Sequence, residues 1–170
     1  MEYEFVVEAE PVGKGRPRFT RVGGYVRAYE PKKTKTYEEL VKQSFIEQNP
    51  DYKTIPQGQA VALFIGLDYK IPKGTSKKNR KLILDGSIKP TKKPDIDNVL
   101  KSICDGLNGV AWYDDSQIVC VCINKRYSDT PKATINIVAD EQPLMFDVSE
   151  EEKKSAEEGF IEWLGEINNE

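Results

Sequence analysis

The run Ala60-Val-Ala-Leu-Phe-Ile-Gly-Leu-Asp-Tyr69 constrains the fold of this 170-residue chain more than any other segment. It is rich in β-branched and aromatic residues and almost continuously apolar. Such a strand reads as covered on both faces, which places it centrally in a sheet. Its apolar stretch is too short to span a membrane, and the N-terminus carries no apolar signal region.

The other elements follow from periodicity and punctuation. Residues 4–12 predict a strand that runs into Gly13-Lys-Gly-Arg-Pro-Arg-Phe19, and Gly23-Gly24 predicts a hairpin turn between 19–21 and 25–29. Residues 34–48 predict a helix, with Tyr37, Leu40, Val41, Ser44 and Phe45 spaced at three and four, closed by Asn49-Pro50. A short helix is expected over 76–84, stopped by Asp85-Gly86. Another begins at a cap on Asp95 or Asp97 and runs to about Asn108. Strands are expected over 117–126 and 132–139, joined as a hairpin around Asp129-Thr-Pro131. The expected class is therefore α+β: one domain over 1–140, with a mixed sheet packed by helices at about 34–48 and 96–108. Behind it, 141–170 predicts an acidic amphipathic helix, with a capping box at Ser149-Glu-Glu-Glu152 and a stripe of Ala156, Phe160, Trp163, Leu164 and Ile167.

Charge divides the same way. Residues 1–140 hold 23 Lys+Arg against 18 Asp+Glu, a net of +5; residues 141–170 hold 2 against 10, a net of −8. A basic body with an acidic tail is a pattern of nucleic-acid proteins. The chain has no histidine, which removes the commonest general base and the commonest zinc or copper ligand. Its three cysteines, Cys104, Cys120 and Cys122, form no CxxC pair and are expected to be buried, reduced thiols of a cytosolic protein.

One segment concentrates chemistry. Lys92-Lys-Pro-Asp-Ile-Asp-Asn-Val-Leu-Lys101 sets Asp95 and Asp97 two residues apart at a helix start, with Lys101 four residues on. Asp114-Asp115 follows past the helix, just before a strand. Asp97, Lys101 and Asp105 share one helix face, which alone reads equally well as an exposed salt-bridge ladder. The added carboxylates favour a cation that relieves their mutual repulsion. A calcium loop of the EF-hand type fails, because Leu100 and Gly106 stand where it needs Gly and Glu. Metal-assisted phosphodiester chemistry with Mg²⁺ is the leading reading.

Lys93 to Gly109 and then Trp112-Tyr-Asp-Asp-Ser-Gln-Ile-Val119 resemble the signature of the RusA family of Holliday junction resolvases. Gly15-Arg-Pro-Arg-Phe19 and Tyr29-Glu-Pro-Lys-Lys-Thr34 resemble segments of its phage and prophage members. The resemblance covers 3–139 and leaves out the tail. It implies an α+β homodimer that binds four-way DNA junctions and, with Mg²⁺ (Mn²⁺ as a substitute), nicks two opposing strands symmetrically. It places the essential carboxylates on Asp95, Asp97 and one of Asp114 and Asp115, with Asp115 preferred, and the essential lysine on Lys101. Asn98 would orient a ligand or water, and Asp105 would support the others.

Arg16, Arg18, Lys77, Lys78, Lys92 and Lys93 are the expected phosphate contacts, since cations crowd both approaches to the acidic motif. Tyr25, Tyr29, Trp112 and Tyr113 are expected in the core or in strand pairs. Alternatives are a flap or branch nuclease with the same metal chemistry, a non-catalytic branched-DNA-binding protein, and an interaction module worked by the tail. A cytoplasmic protein without a membrane partner is expected.

Overall fold

A computed structural model of the chain describes residues 1–139, apart from Gly23 and Glu30; the expected tail helix lies outside the described residues. The elements are β1 (Glu2–Val7), β2 (Arg18–Val22), β3 (Tyr25–Tyr29), α1 (Lys32–Gln48), β4 (Val61–Lys70), α2 (Lys77–Leu84), α3 (Ile96–Leu107), β5 (Ile118–Ser128) and β6 (Lys132–Ala139). The class is α+β, as expected. A four-stranded mixed sheet has the order β1-β6-β4-β5, and β2 and β3 form a separate two-stranded ribbon. No described helix is long and apolar enough to cross a membrane.

The apolar run does occupy the middle: β4 pairs antiparallel with β6 and parallel with β5. Paired residues share a face of the sheet, so register defines the core. The row Phe5, Ile135, Ile65 and Ile123 crosses all four strands on the helix side, and so does Val7, Ala133, Leu67 and Lys125. In these rows Phe5, Val7, Ile65, Leu67, Ala133 and Ile135 are all buried. Helix α1 covers β1 through Phe45, whose ring meets Tyr3 and Phe5 edge-on at 5.5 Å and Tyr52 at 5.0 Å. The outer edge of β1 is closed by Gln48, which accepts from the Val6 amide at 2.9 Å and donates to the Val6 carbonyl at 2.7 Å. That pairing blunts an otherwise open strand edge.

Helices α1 and α3 touch at Gly106, where an added Cβ would stand 2.6 Å from the Glu38 carbonyl oxygen. The glycine lets α3 lie close enough to bury Val99, Ile103, Cys104 and Leu107.

Three expectations need correction. The first strand ends at Val7 rather than Val12, because the Ala9 amide turns back onto the Val7 carbonyl at 2.8 Å and the chain leaves the sheet. The expected β5–β6 hairpin does not form: β6 lies on the opposite side of β4 from β5. Its short link hops over one strand end, tethered by Arg80 to Asp129 at 2.6 Å. Burial of the cysteines holds for Cys104 only; all three are free thiols, but Cys120 is exposed and Cys122 half-buried. Both lie on β5, an edge strand, in register with Ala62 and Phe64 on the face away from the helix-side rows.

Candidate active site

The sequence Gly13-Lys-Gly-Arg16 crosses the molecule between the starts of α1 and α3. A Cβ on Gly13 would lie 2.9 Å from Pro94 Cβ, and one on Gly15 would lie 2.7 Å from Pro31 Cγ. Only glycine allows this close passage. The segment is fixed by the Lys14 amide donating to the Asn98 carbonyl at 2.7 Å and the Gly15 amide donating to Thr34 Oγ1 at 3.1 Å. Residues far apart in sequence thereby meet around one cavity of about 950 Å³. It is lined by Glu10, Gly13, Lys14, Arg16, Lys33, Tyr69, Lys93, Asp95, Asp97 and Asn98, with apolar contributions from Pro11, Val12 and Pro94.

Asp95 holds the N-cap position of α3 with an extended backbone, yet its carboxylate makes no capping hydrogen bond. A residue type that ordinarily caps is thus left with its acceptors unspent, at the positive end of a helix dipole. Asp97 lies in the first turn and faces Lys101 at 3.9 Å, both side chains well exposed. Lys101 is therefore held weakly and can reorient toward an anion.

The turn before Asp95 contains a cis Lys93–Pro94 peptide. Lys125 of β5 donates to the Lys92 carbonyl at 2.9 Å and the Pro94 carbonyl at 2.8 Å. The same ammonium lies 5.3 Å from the centroid of the Tyr69 ring. Tyr69 is 6% exposed, and its hydroxyl has no hydrogen-bond partner among the described residues. Burial first, then the Glu10 carboxylate, push its pKa up, so it stays protonated and remains a donor.

Asp114 and Asp115 take different roles. Asp114 accepts from the Ser116 amide at 3.0 Å and from the Ser116 hydroxyl, while its own amide donates to Gln117 at 3.0 Å. These bonds hold its pKa below the ordinary carboxylate range. This capping box starts a 3-10 turn, Asp115–Gln117, which Gln117 pins to the carbonyls of Pro56 and Gln59 at 2.8 and 2.9 Å. The Asp115 side chain is exposed, and its charge reaches α3: burial first, then Asp115, then Asp105, raise the Cys104 thiol to about 12.

The structure therefore gathers Asp95, Asp97, Asn98, Arg16 and Lys93 around one cavity, with Lys101 beside Asp97. Asp114 and Asp115 do not line it, and among the described residues no three acidic or thiol side chains form a metal-binding group. Asp105 pairs with Lys14, which also reaches Glu38 at 3.2 Å and so ties α1 to α3. Lys92 is exposed beside the cavity; Lys77 and Lys78 are exposed in the first turn of α2, outside it; Arg18 opens β2. Glu10, Lys33, Tyr69 and Lys125 are additions. Lys125 had a signal, a charge at an inward position after Val121 and Ile123; the others depend on long-range packing.

The donor set suits a hard divalent cation. Magnesium characteristically takes one or two carboxylates, with water and phosphate oxygens completing its octahedron. Asp95 and Asp97 in a cavity ringed by cations meet that description, and no soft ligand intrudes.

A family profile described as Endodeoxyribonuclease RusA matches residues 8–138. The chain is also 35% identical over 136 residues to the uncharacterized protein YqaN of Bacillus subtilis (strain 168), across 79% of this chain and 94% of that protein.

Proposed function

The chain belongs to the RusA endodeoxyribonuclease family, and from that membership we propose that it resolves four-way DNA junctions with a divalent cation. The observation that carries the reading is the cavity itself. It presents two carboxylates at a helix start among four cations, Lys14, Arg16, Lys33 and Lys93, that suit a polyanion.

Asp95 and Asp97 would hold Mg²⁺ or Mn²⁺; Asp115, which lies outside the cavity, is the third carboxylate on the family resemblance alone. Bound there, the cation would acidify a water and neutralise the scissile phosphate. Lys101 swings from Asp97 to the phosphate oxygens and offsets charge that grows in the transition state. Asn98 orients the phosphate or water. Arg16, Arg18, Lys92 and Lys93, with Lys77 and Lys78 further out, hold flanking phosphates without reading bases. Paired nicks on opposing strands require two sites related by a two-fold axis, so the acting unit is a homodimer.

The test is cleavage of a synthetic four-way junction with Mg²⁺ and with EDTA, beside linear duplex and flap controls. Symmetric nicks confined to the junction and lost in EDTA are expected. Preferential flap cleavage would make the chain a branch nuclease, and tight junction binding without nicks would make it a binding protein.

A further inference from the structure

From Gly13 to Tyr29 the chain carries five Lys and Arg residues and no Asp or Glu. This segment leaves the cavity at Arg16 and at once becomes the β2–β3 ribbon, turned at Gly24 with φ +85°. The hairpin expected at Gly23-Gly24 forms, and its rings stand in solvent. Tyr25 is 82% exposed, Phe19 71%, Val26 62% and Tyr29 47%. An isolated two-stranded ribbon is at best marginally stable in water, so exposed rings on one imply an occupant.

Charge indicates which occupant. The ribbon segment itself carries only positive charge, which calls for a polyanion. Nucleic acid offers the complement: phosphates for the arginines and flat apolar base faces for the rings. A base-paired duplex hides those faces within its stack, whereas a branch point uncovers them.

We propose that the β2–β3 ribbon is a base-stacking arm that engages unstacked bases at the branch point of DNA. Tyr25 and Tyr29 on one face of the ribbon and Phe19 on the other are its platforms, and Arg16 and Arg21 hold the flanking phosphates. The inference rests on the branched-DNA reading above and adds to it a source of structural preference. Stacking tolerates any base, so the arm selects branched over linear DNA without selecting sequence.

The test uses the full chain in EDTA, so that no strand is cut. Junctions carry 2-aminopurine either at the branch point or within an arm. The wild-type chain should alter fluorescence at the branch point only. Phe19→Ser with Tyr25→Ser should abolish that signal and weaken junction binding about tenfold for each ring lost, with duplex affinity changed less than about twofold. Tyr25→Phe should keep both signal and affinity. Tyr25→Ser alone carries the test should the double variant unfold. Unchanged junction affinity, equal losses on junction and duplex, or a halved sedimenting mass would overturn the arm. A wild-type chain with no preference for junctions would overturn the arm and the proposed function together, whereas a preference the variants retain removes only the arm.

Discussion

Lys125 Nζ donates to the Pro94 carbonyl at 2.8 Å, which joins the inner face of β5 to the turn that presents Asp95. A second bond to the Lys92 carbonyl makes the tie a clamp on that turn. Lys125 touches no reacting atom in the proposed reaction; it positions the residues that do.

Lys125→Met keeps the aliphatic stem and removes both bonds. Hydrogen bonds from a charged donor contribute about 1.5–3 kcal/mol each, so losing part of this clamp should slow nicking roughly tenfold to a hundredfold. The Mg²⁺ concentration for half-maximal rate should rise, because the carboxylates lose their fixed spacing. Lys125→Arg, which retains a donor, should recover part of both. A single-turnover Mg²⁺ titration reads the outcome; an unchanged metal requirement would deny the positioning role.

Asp95→Asn and Asp97→Asn should each reduce nicking by roughly a thousandfold or more, since a metal supplies several kcal/mol of transition-state stabilisation. Folding should be spared. Asp95 makes no capping bond, and Asp97 has an exposed pair with Lys101 of the kind that contributes little. Junction affinity should hold or rise, because a negative charge beside phosphate is removed. A marked fall in melting temperature for either variant would assign these carboxylates to structure.

Neighbouring Asp114 and Asp115 should separate under the same substitution. Asp114→Asn weakens the charge-assisted bonds to Ser116 and should lower the melting temperature by a few degrees with cleavage little changed. Asp115→Asn should leave the melting temperature alone and depress cleavage. Thermal melts and nicking rates on the two variants decide it, and the reverse pattern would move the metal role to Asp114.

These contrasts show what the sequence carries and what it does not. The central place of β4 and the helical spans of α1 and α3 are visible because apolar periodicity is local. Asp95, Asp97 and Lys101 are visible for the same reason: their spacing along one helix start fixes their neighbourhood. Strand order is not local. The Asp129-Thr-Pro131 link reads as a hairpin, yet β5 and β6 take opposite edges of β4. Glu10 reaches the cavity because Gly13 and Gly15 let a distant segment pass close to α3 and α1, while Tyr69 comes from the end of β4. Tyr25 and Tyr29, expected in the core or in a strand pair, do stand in a strand pair, but periodicity cannot distinguish a pair that packs from one that projects into solvent.

Asp68 and Arg126 provide the last prediction. They are partners in register on the parallel strands β4 and β5, joined by Nε at 2.5 Å and Nη2 at 3.2 Å. The Asp68 side chain is 3% exposed, while that of Arg126 is 35% exposed. A carboxylate so deeply placed depends on its partner, and removing one member of a buried pair typically costs 3–5 kcal/mol. Water can reach the Arg126 end, so Arg126→Met should destabilise the fold by about 2–4 kcal/mol. Asp68→Leu combined with Arg126→Met removes the stranded charge and should recover much of that loss, because the penalty lies in desolvation rather than in a missing contact. Urea denaturation of Arg126→Met, Asp68→Leu and the double variant, beside the wild-type chain, completes a double-mutant cycle. Additive losses would mean that the two side chains act independently and that the pair does not lock β4 to β5.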